Sequence, residues 1–431
     1  MILFDCCSDL LIESKALRFS PEGDWQPKIV IVNTQKIVNL ADMCMATKYK
    51  KGSIFFSFLL LVAVSAVRGQ KLYLLVGTYT NTGTLNGNAK MDSSGSKGIY
   101  VYRFDVGTGK AKLLSHTEGV CNPSYLAVAP DGHHVYACTE SRMAGAGSVS
   151  AFELDKSSGR LRFINKVPSG GDNPAYVSVD SSGRWVVVAN YTGGSFVVCG
   201  IRADGGLLPP VQRLAFAGHG VNPQRQEKSH VHSAVFSPDQ RHLYIQDLGL
   251  DRISMYPFEG GVDTVAVKRF AAVPGAGPRH LTFGPDGRFA YLVEEMGGMV
   301  DVYRYDAATG ELDSIQRIAA HPDTAGGPFR SADIHVSPDG RFLYTSNRAE
   351  STITIFSVDK TQGTLRRVGY QSVFGREPRN FTLDPTGTWL LAADQDSNMI
   401  VIYRIDKATG ALRPLKHRIR VPLPTCLRLG A

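Results

Sequence analysis

The chain has 431 residues, 43% of them hydrophobic and 20% charged, and its 44 glycines and 22 prolines favour many turns and short strands over long helices. Of the formal net charge of +8, residues 1–69 carry +2, and the other +6 is spread over 362 positions with no basic run or Arg-rich helix. That dilution argues against nucleic acid as a partner and leaves only a mild bias towards anionic small molecules.

Residues 1–44 show neither repeat nor periodicity. From Met45 the chain reads MATKYKKGS, with a basic cluster at Lys48, Lys50 and Lys51, and then an apolar stretch from Ile54 to Val67. Small residues follow, with Val64-Ser65-Ala66 or Val67-Arg68-Gly69 as cleavage sites. This is the layout of a secretory signal peptide over 45–69, since a membrane span needs roughly 20 apolar residues; the competing reading is an uncleaved signal anchor. The expectation is therefore translation from Met45 (or Met43), with 1–44 not part of the native product. Export, no membrane span after cleavage, and a propeller domain over 70–431 complete it. Outside the leader lie Cys121, Cys138, Cys199 and Cys426, none in CxxC spacing, which reads as free, half-buried thiols in preference to disulfides or a zinc motif.

From residue 71 the sequence repeats. One half of the unit is an apolar strand, a Pro-Asp-Gly-like turn and a second apolar strand, as in SYLAVAPDGHHVYAC (124–138), AYVSVDSSGRWVVVA (175–189), HSAVFSPDQRHLYIQ (232–246), RHLTFGPDGRFAYLV (279–293), ADIHVSPDGRFLYTS (332–346) and RNFTLDPTGTWLLAA (379–393). The turns at Gly132, Gly183, Gln240, Gly287, Gly340 and Gly387 are separated by 51, 57, 47, 53 and 47 residues. The other half, a strand with a polar, often Thr-Gly turn and a further strand, occurs seven times, from KGIYVYRFDVGTGKAKLL to MIVIYRIDKATGALRPL. Four strands per unit of roughly 50 residues predict a seven-bladed β-propeller, all-β, with no helical period in any unit. Six complete first hairpins leave one blade short. LYLLVGTYT (72–80) and PTCLRLG (424–430) supply its missing strands, so the two chain ends pair and close the ring.

The first strand of each blade is expected to line the channel. Aligned on their turns, the hairpins place Ser124, Ala175, His232, Arg279, Ala332 and Arg379 in one ring. Asn122, Asn173, His230, Gly277, Arg330 and Glu377 lie two residues earlier, on the same side. The second strands end at the same mouth with Asn190-Tyr191, Asp247, Glu294-Glu295, Asn347-Arg348 and Asp394-Gln395. One mouth thus collects histidines, arginines and carboxylates. The bland alternatives are structural histidines at 230 and 232, and inter-blade ion pairs at Arg279 and Arg379. His230-x-His232 has the spacing of a metal pair, but no third ligand is indicated, so no metal and no cofactor is expected. Asn190-Tyr-Thr and Asn380-Phe-Thr match the glycosylation pattern but lie in or beside predicted strands.

The segments VGTYT (76–80), NPSYLAVAPDG (122–132), ANYTGGS (189–195), HVHSAVFSPD (230–239), GPRHLTFGPDG (277–287), IHVSPDGRFLYTSNR (334–348) and EPRNFTLDPTG (377–387) resemble the seven-bladed propeller lactonases. These include the propeller type of 6-phosphogluconolactonase and the fungal carboxymuconate cycloisomerase. The resemblance spans residues 71 to 430. It implies a catalytic group of His232 (with His230 beside it), Arg279, Glu295 and Arg348, no required metal, and a small-molecule lactone as the partner. Substrate contacts are expected from Asn190, Tyr191, Asp247, Arg330 and Arg379, in a monomer. The alternatives are a muconate-type lactone cycloisomerase and a non-enzymatic secreted propeller that binds a ligand or protein at this mouth.

Overall fold

The computed structural model describes residues 71–83 and 95–430; the leader and the signal-peptide expectation over 45–69 lie outside the described residues. Strands β1 to β28 form seven four-stranded antiparallel sheets. Six are consecutive in the chain: β4–β7 (123–168), β8–β11 (174–215), β12–β15 (231–271), β16–β19 (278–319), β20–β23 (331–372) and β24–β27 (378–420). The seventh has the order β28-β1-β2-β3, with β1 at Lys71–Thr78, β2 at Ile99–Asp105, β3 at Lys110–Thr117 and β28 at Pro424–Gly430. The expected closure is present: Leu74 faces Leu429, and Val76 faces Leu427.

The seven first strands, β4, β8, β12, β16, β20, β24 and β28, neighbour one another in a continuous ring around the channel. The apolar face of each blade is covered by the next blade, the only cover available to a short sheet apolar on both faces. At the joint, Leu74 and Val76 pack with Leu391, Ala393, Ile400 and Ile402 of the last blade in one buried cluster. A second device recurs at the rim. The hydroxyls of Tyr136, Tyr244, Tyr291 and Tyr344 donate to the carbonyls of Gly205, Gly310, Gly363 and Gly410 in the following blade, at 3.0, 2.7, 3.1 and 3.0 Å. Trp389 Nε1 does the same across the joint, donating to the Val106 carbonyl at 2.7 Å. Those glycines have φ between +72° and +77°, a conformation that side chains rarely adopt, so each turn can present its carbonyl to the neighbouring ring only with Gly there. The four described cysteines are free thiols, three of them buried. No helix among the described residues is long and apolar enough to cross a membrane.

Candidate active site

The inner strands enter the ring in a repeated way. Asn122, Asn173, Gly277 and Glu377 hold positive φ angles of 41°, 56°, 67° and 59°, and each is followed by the proline that opens its strand. The pairing then slips by one residue. Pro278 faces Glu294 but His280 faces Val293; Val231 faces Asp247 but Ser233 faces Gln246. The skipped residues are Ala175, His232, Arg279 and Arg379. Such a bulge breaks the strict alternation of side chains and re-aims them. As a result, sequence neighbours such as Arg279 and His280, or Arg379 and Asn380, line the same cavity in the channel, together with His232 and Glu140.

Glu295, the residue after β17 (Phe289–Glu294), is the hub. Its Oε2 accepts from Arg279 Nε at 2.9 Å and lies 3.0 Å from Arg348 Nη2, while Oε1 accepts from Arg225 Nη2 at 2.5 Å. The Arg348 contact is an ion pair off the line that a hydrogen bond needs. Burial alone would raise the Glu295 carboxyl, but Arg348, Arg279 and Arg225 outweigh it and hold the group well below the usual carboxylate range. Arg348 also reaches Glu377 at 3.5 Å, which Arg330 binds at 2.6 Å. On the other side Arg379 lies over the Tyr79 ring and 3.8 Å from Glu140, which accepts from the Tyr79 hydroxyl at 3.0 Å.

The two histidines differ in availability. His230 stacks on Tyr191 at 4.5 Å, its Nδ1 lies 3.2 Å from the Tyr191 carbonyl, and its Nε2 is 3.1 Å from both oxygens of Glu227. Both of its nitrogens therefore face acceptors. Among the described residues the buried His232 ring has no hydrogen-bond partner at Nδ1, and its Nε2 stands 3.9 Å from Glu295 Oε2. Burial, reinforced by Arg279 and His280, pushes its pKa well below the usual imidazole range, so the ring is neutral. Arg279 completes the arrangement: Nε is bound to Glu295 and Nη1 to the Ala332 carbonyl and His280, while Nη2 makes no hydrogen bond among the described residues.

The structure gathers His230, His232, Arg279, Glu295, Arg348, Tyr191, Arg330 and Arg379 at one mouth. It corrects two of the expected substrate contacts. Asn190 ends β9 (Trp185–Asn190) opposite Pro174, so its side chain lies on the face opposite that of Tyr191; its Nδ2 donates to the Ser169 carbonyl at 2.9 Å. Asp247 has the same parity: its carboxylate accepts from Ser229 Oγ at 2.6 Å and from the backbone N–H groups of His230, Gly249 and Leu250. Both side chains hold loops. Arg225, Glu140, His280 and Asp333 escaped the sequence reading. Arg225 sits in a non-repeating loop with no signal, but Pro-Arg-His, Pro-Arg-Asn, Pro-Ser-Tyr and Pro-Ala-Tyr recur at the bulge and mark its second residue. Among the described residues no group of three or more His, Cys, Asp or Glu side chains is placed to hold a metal.

Residues 73–429 match the family model described as "Lactonase, 7-bladed beta-propeller". A Formosa agariphila protein named 6-phosphogluconolactonase is 37% identical over 301 residues, covering 68% of this chain and 84% of the relative. One of the same name from Bacillus subtilis is 36% identical over 312 residues, 72% of this chain and 84% of the relative. The solved periplasmic gluconolactonase of Pseudomonas aeruginosa is 35% identical with a TM-score of 0.74, over 84% of this chain and 99% of the neighbour.

Proposed function

The chain belongs to the seven-bladed β-propeller lactonases, and on that premise we propose that it hydrolyses a sugar-type lactone at the mouth centred on Glu295. The observation that carries the reading is a neutral imidazole at His232, its Nδ1 without a hydrogen bond among the described residues, beside an arginine with one nitrogen uncommitted. His232 takes a proton from water as the oxygen attacks the lactone carbonyl carbon. The negative charge that forms on the carbonyl oxygen meets Arg279 Nη2, in a setting where burial strengthens the attraction. When the acyl carbon–oxygen bond breaks, His232 returns its proton to the leaving ring oxygen, giving a hydroxy acid. Glu295 fixes Arg279 and Arg348, and the planar forks of Arg348 and Arg330 suit a carboxylate, a phosphate or sugar hydroxyls.

The same proposal puts the substrate outside the cytoplasm. The secretory layout of 45–69 supports this, as does the likeness to the periplasmic gluconolactonase of Pseudomonas aeruginosa. The chemistry is tested with gluconolactone, with and without a 6-phosphate, the spontaneous opening being subtracted. Arg279→Ala is expected to lower kcat by about 10²–10³-fold, the range for loss of one oxyanion donor. An unchanged kcat would remove Arg279 from the reaction.

A further inference from the structure

Arg279 is held at three of its five N–H groups, and one of the three partners is unusual. Nη1 lies 3.2 Å from His280 Nε2, a contact that works only if that nitrogen carries no proton. The other ring nitrogen, Nδ1, is 2.8 Å from Asp333 Oδ1. Asp333 is buried in the neighbouring blade on β20 (Ser331–Val336), and its Oδ2 accepts from Asn380 Nδ2, from the Phe381 N–H at 3.2 Å and from His335 Nε2 at 3.1 Å. Nothing in the proposed chemistry uses His280 or Asp333, yet both are fully enclosed. We propose that Asp333 and His280 are positioning residues for Arg279: Asp333 takes the Nδ1 proton, leaves Nε2 as an acceptor, and so turns Nη2 of Arg279 towards the substrate. The inference rests on the lactonase reading given above.

The surroundings leave His280 this one arrangement. Its own strand supplies Arg279; β20 supplies Asp333 and His335; β12 (Val231–Phe236) supplies His232, whose ring stands edge-on at 5.2 Å. Tyr125 on β4 and Tyr176 on β8, three and two blades back in the chain, meet it edge-on at 5.8 and 5.3 Å. Burial first, and then Arg279, push the His280 pKa down to about 4, against the opposing pull of Asp333. The ring is therefore neutral, and its tautomer is set by whichever group faces Nδ1. Asp333→Asn reverses that choice. Three donors converge on the Oδ2 side against one besides His280, the Ile334 N–H at 3.1 Å, on the Oδ1 side, so the amide oxygen settles at the Oδ2 position and the NH2 faces His280. Nδ1 must then accept, Nε2 gains the proton, and an N–H confronts the Nη1 N–H of Arg279.

The test combines ¹⁵N NMR of the His280 ring with kinetics on gluconolactone. The wild type is expected to show a protonated Nδ1 and a bare Nε2, and Asp333→Asn the reverse, with kcat down about 10–100-fold, the usual scale for outer hydrogen-bond partners of a site, and KM within about threefold. Asp333 also steadies the neighbouring strand, so a second pair keeps the test open if that variant fails to fold. His280→Phe should lose kcat to the same extent, while His280→Gln, whose amide oxygen can accept from Nη1, should recover most of it. A proton on Nε2 in the wild type, or a His280→Phe enzyme with wild-type kcat, would overturn the inference. Wild-type protein that opens no lactone would instead defeat the lactonase reading and leave the tautomer measurement to stand by itself.

Discussion

At the scale of single residues, the site is a balance of buried charge. Glu295 is surrounded by three guanidinium groups, and removing one member of such a cluster strands the others, which commonly costs about 3–5 kcal/mol. Substitutions at Glu295 therefore mix stability with chemistry, whereas His232 forms no hydrogen bond through Nδ1 and can be changed with less collateral loss. The buried neutral histidines also set a pH dependence. With the folded pKa of His280 at about 4, below its unfolded value of 6.5, the unfolded chain takes up a proton first as pH falls. Its contribution is complete above pH 6.5 and is lost between there and about 4, at up to about 1.4 kcal/mol per pH unit. Thermal melts over that interval should slope less steeply for His280→Phe than for the wild type. Equal slopes would mean that the ring is already charged in the folded protein.

At the scale of strands, one position repeats around the ring with different outcomes. In four of the seven blades the second strand ends on Asn190, Asp247, Asn347 or Asp394, and in the first three the side chain ties down a neighbouring loop. Asp394, at the end of β25 (Trp389–Asp394), has no hydrogen-bond partner on either oxygen among the described residues, and burial raises its pKa to about 8 against the pull of Arg418. The folded form keeps a proton that the unfolded form has shed, so this group weakens the fold progressively from about pH 4 to about pH 8. Asp394→Asn, matching Asn190 and Asn347, should raise stability by about 1–2 kcal/mol at neutral pH, with a gain that grows as pH rises. Denaturant melts at pH 5 and 8 check this, and a gain independent of pH would contradict it. The same strand ends show what the sequence makes legible. Turn spacing locates every blade, and alternation past the strand end puts Tyr191 and Glu295 on the face opposite Asn190 and Glu294. The one-residue slip after each entering proline is a pairing property, settled between strands, so no single strand announces it. His280, which the slip turns inward, therefore carries no mark of its place on its own strand. Arg225 reaches Glu295 from a loop outside the repeat, and no periodicity could place it.

At the scale of the molecule, the ring has one non-covalent joint, made by the chain ends. β28 pairs with β1, Thr425 Oγ1 lies within donating reach of the carbonyls of Gly77 and Ser124 at 3.2 and 3.0 Å, and Asn380 Oδ1 accepts from the Leu427 N–H at 2.6 Å. Asn380 also binds Asp333, so the joint and the support of Arg279 share a residue. Deleting residues 424–431 should lower the melting temperature of the whole propeller and abolish activity with it; a truncated protein that melted like the full chain would show that closure is not made here. The mouth at His232 and Arg279 is proposed to open a lactone with water, and the decisive measurement is titration of the acid released from gluconolactone, with and without a 6-phosphate, by wild type and His232→Ala. Wild-type release well above the spontaneous rate is expected on at least one of the two, with a fall of about 10²–10⁴-fold in His232→Ala. Release at the spontaneous rate, or equal rates for the two proteins, would contradict it.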